Sequence, residues 1–308
     1  MKIQVSNLTK NNDLWKGFWR LADPKITLAS MSSIFLGSCL VFADGELDIF
    51  WLLITVFAFF SIEVAKNASG DIYDYQTDIS VKKEDRTDFS GGKRVLVDGL
   101  LSKNQTWVIA LIFYVLGIGS GVIIVIFREP QALWIGLIGL ILAWSYNGPP
   151  ARLAYRGFGE IDVAVCYGPL ICLSTYVIQL GEFSIQALLI SIPLGLLIAA
   201  FLWVNEFPDY MADIKANKRN MIVRLGRQRA SRILPLLQLS AFMVLMMLPF
   251  AGFSYNVLWG GVAIIPSALA AIYVWRDPEH AYRNFPVSAM ALIAFLLMSL
   301  GCGIGILM

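Results

Sequence analysis

Histidine, cysteine and charge are all scarce in this chain. His280 is the one histidine among 308 residues, so no site built on several imidazoles is available. The four cysteines (Cys39, Cys166, Cys172 and Cys302) all lie in apolar stretches, and none forms a CxxC pair. That spacing offers neither a disulfide framework nor a cysteine zinc site. Charged residues make up 15%, well below the ~25% of soluble domains. The net charge of +2 gives no bulk attraction to nucleic acid, so no nucleic-acid partner is expected. The first 25 residues are polar and basic without an apolar h-region, so no cleavable signal peptide is expected.

What the chain has instead is apolar surface: 57% hydrophobic residues and a mean hydropathy of +0.67. A membrane span needs about 20 mostly apolar residues. Nine segments qualify as candidates: 26–43, 47–65, 106–127, 131–146, 161–180, 185–204, 233–250, 256–275 and 286–307. With the N-terminus inside, the segments 1–25, 66–105, 147–160, 205–232 and 276–285 face the cytoplasm and hold 23 of the 24 basic residues, leaving only Arg128 outside. This positive-inside pattern predicts nine transmembrane helices, a cytoplasmic N-terminus and an external C-terminus. Tryptophans mark both interfaces, with Trp107, Trp144, Trp203 and Trp275 at inner ends and Trp51, Trp134 and Trp259 at outer ends. Leu14, Trp15, Phe18, Trp19 and Leu21 predict a short interfacial helix stopped by Pro24, within a cytoplasmic interfacial segment 1–24. The whole chain, 1–308, reads as a single all-α membrane domain. The loops 68–105 and 205–230, rich in both charge signs, are expected to cap a cavity on the cytoplasmic side.

Two acidic clusters stand out against this background. The first is Asp71-Ile72-Tyr73-Asp74-Tyr75-Gln76-Thr77-Asp78, and the second runs from Asn205 through Glu206 and Asp209 to Asp213. On one helix Asp71, Asp74 and Asp78 would share a face, as would Asn205, Asp209 and Asp213. Like charges stacked in this way repel unless a cation sits between them. Both clusters fall on the cytoplasmic side, after spans two and six, an offset that resembles a duplicated four-helix unit. Two copies at equivalent positions point to a hard divalent cation, magnesium, shared with a phosphate-bearing substrate. For one cluster alone, a solvated helix end with incidental acids is an equal reading. Cations lie close by: Arg86, Lys93 and Arg94 after the first cluster, Lys215 and Lys218 after the second. Their default reading is positive-inside residues; adjacency to the acids makes them candidates to hold a diphosphate. Ser90-Gly91-Gly92-Lys93-Arg94 adds flexible backbone amides, although Gly-Gly is more often only a turn. Asn147-Gly148-Pro149-Pro150 reads as a rigid inner turn, with Tyr146 and Arg152 beside it as candidate pocket residues. Tyr146 offers a ring face to a cation, against the commoner role of an interfacial tyrosine.

This combination resembles the UbiA superfamily of intramembrane prenyltransferases, whose motifs NDxxDxxxD and DxxxD follow the second and sixth spans. Asp71, Asp74 and Asp78 match the first motif, and Asp209 and Asp213 the second. Gly70 departs from the pattern by standing where the family has asparagine, and Asn67, one turn earlier, is the candidate substitute. Segments 89–102, 146–170 and 205–226 look most like the MenA branch, which prenylates 1,4-dihydroxy-2-naphthoate in menaquinone synthesis. The resemblance implies helices around a central cavity with a cytoplasmic cap and an opening to lipid. It implies Mg2+ held by Asp71, Asp74, Asp78, Asp209 and Asp213, assisted by Asn67 and Asn205. It also implies a polyprenyl diphosphate donor, an aromatic acceptor, and residence in a bacterial or archaeal cytoplasmic membrane with the active site facing the cytoplasm. Other acceptors, or terpene cyclisation, would use the same aspartates. A CDP-alcohol phosphotransferase would need one compact cluster of acids. An ion-coupled transporter would place its acids near mid-membrane on broken helices.

Overall fold

The structure, a computed structural model, describes residues 13–308. The first twelve residues of the expected interfacial segment lie outside the described residues. Among the described residues every regular element is helical and there is no strand.

Helix α1 (Leu14–Ala22) starts at Asp13, whose side chain accepts the Lys16 N–H at 3.0 Å. It buries Gly17 and Leu21 and leaves Trp15 and Trp19 exposed, the arrangement of an interfacial helix. Asp23 then turns the chain in the left-handed region (φ 43°), and Pro24 opens α2 (Pro24–Asp44), where its missing N–H costs nothing. Helix α3 (Ile49–Tyr73) is followed by the short α4 (Tyr75–Ser80). After an irregular stretch come α5 (Lys103–Phe127) and α6 (Ala132–Ser145). Helices α7 (Gly159–Val165) and α8 (Ile171–Leu180) form one rod through a π-helical turn at Cys166–Leu170 that contains Pro169. Helix α9 (Ile185–Lys215) is followed by α10 (Met221–Leu225), α11 (Arg227–Met247), α12 (Ile264–Arg276), α13 (Ala281–Asn284) and α14 (Val287–Leu307). A 3-10 stretch, Tyr255–Ala263, leads into α12.

Among the described residues, eight helices are long and apolar enough to cross a membrane. The ninth expected span, 131–146, is α6, whose 14 residues reach about 21 Å against a hydrocarbon core of about 30 Å. Two boundaries differ from expectation in a way that matters for function. The spans predicted to end at 65 and 204 continue as helix to Tyr73 and Lys215, so residues 68–73 and 205–215 are helix rather than cap loop. With 31 residues, α9 is about 46 Å long and outreaches the hydrocarbon core, carrying its acidic end to one side of it.

Lipid supplies little hydrophobic drive between helices, so small residues that allow close approach decide the packing. Helices α7–α8 and α9 cross where a Cβ on Gly168 would meet Gly195 Cα at 2.6 Å. A Cβ on Gly301 would likewise meet the Trp259 carbonyl at 2.5 Å. The main core joins α2, α8, α9, α11 and α14. A smaller cluster of Leu21, Ala68, Val95 and Leu101 seats the 82–102 segment on α1 and α3. Ion pairs Arg20–Asp98 (2.5 Å) and Lys25–Asp88 (2.8 Å) and the Tyr282 hydrogen bond to Asp85 (2.8 Å) tie the same segment down from both sides.

Candidate active site

The first acidic cluster does not lie on one helix. Helix α3 ends at Tyr73, Asp74 sits in the bridge region (φ −92°, ψ 4°), and Asp78 belongs to α4. The single-helix stripe expected for the three carboxylates is therefore broken in the middle. Separate donors hold two of its members on either side of that break. Asp71 accepts the Val95 and Leu96 N–H groups at 3.1 and 2.9 Å. Asp74 accepts the Tyr155 hydroxyl at 2.7 Å on one oxygen and Asn147 Nδ2 on the other.

The second cluster does lie on one helix. Asn205, Asp209 and Asp213 follow one another along the last turns of α9. Asp209 Oδ2 accepts the Gly91 N–H at 3.0 Å. Asp213 is fully buried, accepts Asn220 Nδ2 at 2.7 Å and faces Lys218 Nζ at 3.7 Å. The Ser90–Lys93 turn is wedged between the clusters. Gly91 touches Asp209, and a side chain at Gly92 (φ 75°) would collide with the Asp78 carboxylate.

Between the two clusters lies a cavity of about 210 Å³. Asp71, Asp74, Asp78, Asp209, Asn67 and Asn205 all face it, with Lys66, Lys93, Lys218 and Tyr146 as its cations and aromatic wall. A second cavity of about 290 Å³, apolar and lying between α3, α5, α6 and α7–α8, shares Lys66, Val163 and Tyr167 with the first. Lys66 is the basic residue common to both, and its ammonium stands 5.1 Å from the Tyr146 ring centre.

The electrostatics are those of carboxylates crowded without enough cations. Burial, and then the charges of Asp74 and Asp71, push Asp78 up to about 9. Burial also raises Asp74, against Lys218 and the Tyr155 hydrogen bond. Burial lowers the Lys218 ammonium, but Asp213 and Asp74 outweigh it and hold the group well above its ordinary range. Burial and Asp74 push the Tyr155 hydroxyl up to about 12. Asn147 Oδ1, Asn205 Oδ1, Asp209 Oδ1 and Asp213 Oδ1 are buried with no hydrogen-bond donor. An all-oxygen set with open acceptors fits magnesium. Among the described residues no three His, Cys, Asp or Glu side chains are grouped to hold a metal ion alone. A magnesium ion that takes one or two carboxylates and completes its shell with water and substrate phosphate needs no such group.

Several residues singled out from sequence stand elsewhere. Arg94 donates to the Asp78 carbonyl and pairs with Asp98 at 3.4 Å, so it braces the 82–102 segment. Lys93 faces the cavity but is paired with Asp23. Arg86, Arg152, Lys215 and Asp213 are not among the cavity-lining residues. Arg152 stacks on the Tyr155 ring at 3.8 Å, Lys215 is exposed, and Asp213 lies behind Lys218. Asn67 does reach the cavity, but its Nδ2 donates to the Leu21 carbonyl at 2.8 Å. Sequence reasoning missed Lys66, Asn147 and Tyr155 as site residues. A lysine directly after Val64-Ala65, at the end of the apolar stretch, was the available signal for Lys66. Asn147 and Tyr155 come from a distant turn and carried none.

A family model for the UbiA prenyltransferase family matches residues 30–304. A 1,4-dihydroxy-2-naphthoate octaprenyltransferase of Bacillus subtilis is 27% identical over 216 residues, covering 70% of this chain and 68% of that protein. The Haemophilus influenzae protein of the same name is 27% identical over 311 residues, covering 96% and 98%. Among solved structures, a UbiA homologue from Archaeoglobus fulgidus bound to GPP and Mg2+ superposes with a TM-score of 0.63 at 18% identity. It covers 92% of this chain and 99% of its own. At that identity the likeness shows the fold.

Proposed function

The chain belongs to the UbiA prenyltransferase family and is an integral membrane prenyltransferase; from that premise we propose that it transfers a polyprenyl group from its diphosphate to 1,4-dihydroxy-2-naphthoate. The observation that carries this reading is the meeting of two cavities at Lys66. One carries the carboxylates and amides of the two clusters; the other is lined mainly by apolar side chains, with Glu63 and Asp162 as its acids beside Lys66. A prenyl diphosphate has the same two-part chemistry. Its tail suits the groove between α3, α5, α6 and α7–α8, and its head suits the acidic cavity with Lys218 and Lys93.

Asp74, Asp78, Asp209 and Asn205 are the residues that would hold magnesium. Bound there with the diphosphate, magnesium neutralises the charge that develops on the leaving group. Lys218, half-buried beside Asp213 and kept protonated by it, adds a fixed positive charge on the same side. The Ser90–Lys93 turn brings backbone amides over the head group. The apolar groove keeps water from the allylic carbon once its bond to diphosphate breaks. Lys66, between the head-group cavity and the groove, pairs with the acceptor's carboxylate and holds the ring carbon that bears it against the allylic carbon. The new carbon–carbon bond forms there, carbon dioxide leaves, and its bonding electrons restore the aromatic ring. The positive-inside distribution of basic residues supports a site opening to the cytoplasm of a bacterial or archaeal cell.

The test gives purified protein, Mg2+ and a prenyl diphosphate a panel of aromatic acceptors, with mass spectrometry of the lipid products. A decarboxylated prenyl-naphthalenediol adduct is the expected result. An adduct formed only with 4-hydroxybenzoate, homogentisate or glyceryl phosphate would overturn the acceptor assignment. Release of diphosphate with a cyclic hydrocarbon and no adduct would overturn transfer altogether. Lys66→Met is expected to raise KM for the naphthoate about tenfold while leaving KM for the prenyl diphosphate unchanged, the loss of one charge-assisted contact.

A further inference from the structure

Positions 70 and 147 are reciprocal in this chain. The family pattern puts asparagine at 70, where this chain has glycine. A Cβ at Gly70 would meet Asn147 Nδ2 at 3.2 Å and Asn147 Cγ at 3.8 Å, with nothing else within 4 Å. The space beside residue 70 is thus taken by the amide of Asn147, which arrives from the turn after α6. That turn is stiff: Gly148 N–H bonds the Trp144 carbonyl at 2.8 Å, Ala154 N–H bonds the Tyr146 carbonyl at 2.9 Å, and Trp144 Nε1 donates to the Pro149 carbonyl at 2.9 Å.

The orientation of the amide follows from its neighbour. Asp74 Oδ2 needs a donor, so the Asn147 nitrogen faces it, since an amide oxygen there would repel the carboxylate. The Asn147 oxygen is then buried, has no hydrogen-bond donor, and belongs to a side chain that lines the cavity between the clusters. An amide oxygen in that position is a ligand for a hard cation. Asn67, the substitute suggested by sequence, is tethered through its own amide to Leu21.

We propose that Asn147 supplies to the metal at the first acidic cluster the amide oxygen that Gly70 lacks, while its nitrogen fixes Asp74 as a second ligand. The asparagine of the family motif has in effect moved from α3 to the facing turn. This rests on the magnesium–diphosphate reading above, and the experiment separates the two.

The probe is Mn2+ with an unreactive farnesyl S-thiolodiphosphate, bound to the full chain in detergent and read by electron paramagnetic resonance. Wild type is expected to take up Mn2+ only with the thiolodiphosphate present. Asn147→Ala is expected to weaken Mn2+ about tenfold, the loss typical when a group that holds or orients a ligand is removed. Asn147→Ser keeps a hydroxyl donor for Asp74 and so keeps the melting temperature, yet it too is expected to bind Mn2+ weakly. Gly70→Asn alone crowds Asn147 and weakens binding. The reciprocal double variant Gly70→Asn/Asn147→Gly is expected to recover affinity to within about threefold of wild type, a strong positive coupling in a double-mutant cycle. Mn2+ affinity unchanged in Asn147→Ser, or a double variant no better than Asn147→Ala, overturns the proposal. If wild type itself takes up no Mn2+ with the thiolodiphosphate, the magnesium reading fails first and this inference falls with it.

Discussion

The two acidic clusters have similar composition and opposite construction. In the first, the helix breaks at Asp74, and both oxygens of Asp71 and of Asp74 already accept protein donors from the Val95–Leu96 backbone, Asn147 and Tyr155. In the second, the helix runs unbroken through Asp209 and Asp213, and each of Asn205, Asp209 and Asp213 keeps one buried oxygen without a donor. The first cluster is built by cross-links between distant segments. In the second, Asn205 and Asp209 turn open acceptors toward the cavity, while Asp213 already faces the Lys218 ammonium at 3.7 Å. A donor-satisfied carboxylate contributes to the fold before any ligand arrives, whereas an unsatisfied one costs stability until a cation arrives. One site thus divides its work between a cluster that holds the cap in place and a cluster that is poised to bind.

The most forceful way to break this comparison is to delete one carboxylate from each side. Asp74→Ala and Asp209→Ala are both expected to lower turnover at saturating Mg2+ by a factor of about a hundred to a thousand, the range for removing one group that stabilises developing charge. Their effects on stability should part company. Asp74→Ala strands the Asn147 amide, at about 1–3 kcal/mol for a buried group left unpaired, and leaves the Tyr155 hydroxyl only the Thr77 hydroxyl at 3.3 Å, so its melting temperature falls by several degrees. Asp209→Ala strands only the Gly91 N–H and removes a charge beside Asp213, so its melting temperature stays at or above that of wild type. Turnover near wild type in either variant would remove the metal assignment, and equal melting temperatures would remove the division of labour.

A smaller effect sharpens the role of Asp71. In Asp71→Asn the new NH2 faces one of the two backbone donors, and the lost charge-assisted hydrogen bonds cost about 1.5–3 kcal/mol. The 82–102 segment is expected to become sensitive to protease while turnover drops about tenfold, because the Ser90–Lys93 turn loses its anchor rather than the metal its ligand. Thiolodiphosphate-dependent Mn2+ binding that falls as far as in Asp74→Ala would instead make Asp71 a direct ligand.

These differences trace what a linear reading can and cannot reach. Carboxylates set beside apolar runs are conspicuous because nothing in lipid rewards them, so the two clusters stood out in the sequence, as did most of the helices; Asp71, Asp74, Asp78 and Asp209 face the cavity, whereas Asp213 lies behind Lys218. The break at Tyr73 was not. Its only marker is Gly70, one turn earlier and still helical, and the hydrogen bonds Asp74 N–H to Gly70 O and Asp78 N–H to Asp74 O carry the chain almost helically across it. The length of α9 was hidden because polar residues at 205–215 end the hydropathy signal while the helix continues, even through Pro208. The partners of the first cluster were hidden for a different reason. Val95, Leu96, Asn147 and Tyr155 reach Asp71 and Asp74 only through tertiary packing, and an asparagine beside Pro-Pro looks like any turn. Basic residues were overcalled because positive-inside placement and phosphate binding both predict lysine and arginine near the inner surface, and only the fold separates Lys218, in the cavity, from Lys215, outside it.

That last distinction yields the smallest expected effects. Lys215 is exposed and not among the cavity-lining residues, so Lys215→Ala is expected to change kcat/KM for the prenyl diphosphate by less than about twofold, as for a surface substitution remote from structural features. Arg152 stands between the two extremes. Its guanidinium stacks at 3.8 Å on the Tyr155 ring, whose hydroxyl donates to Asp74 at 2.7 Å. Arg152 is half-buried, and stacking of this kind contributes at least about 0.5–1 kcal/mol, so Arg152→Ala should lower kcat about two- to fivefold by loosening Tyr155 against Asp74. Tyr155→Phe, which removes the donor itself, should make the further Arg152→Ala change silent. An Arg152→Ala loss that persists in the Tyr155→Phe background would mean that the guanidinium acts through its charge, on Asp74 or on substrate, rather than through the Tyr155 ring.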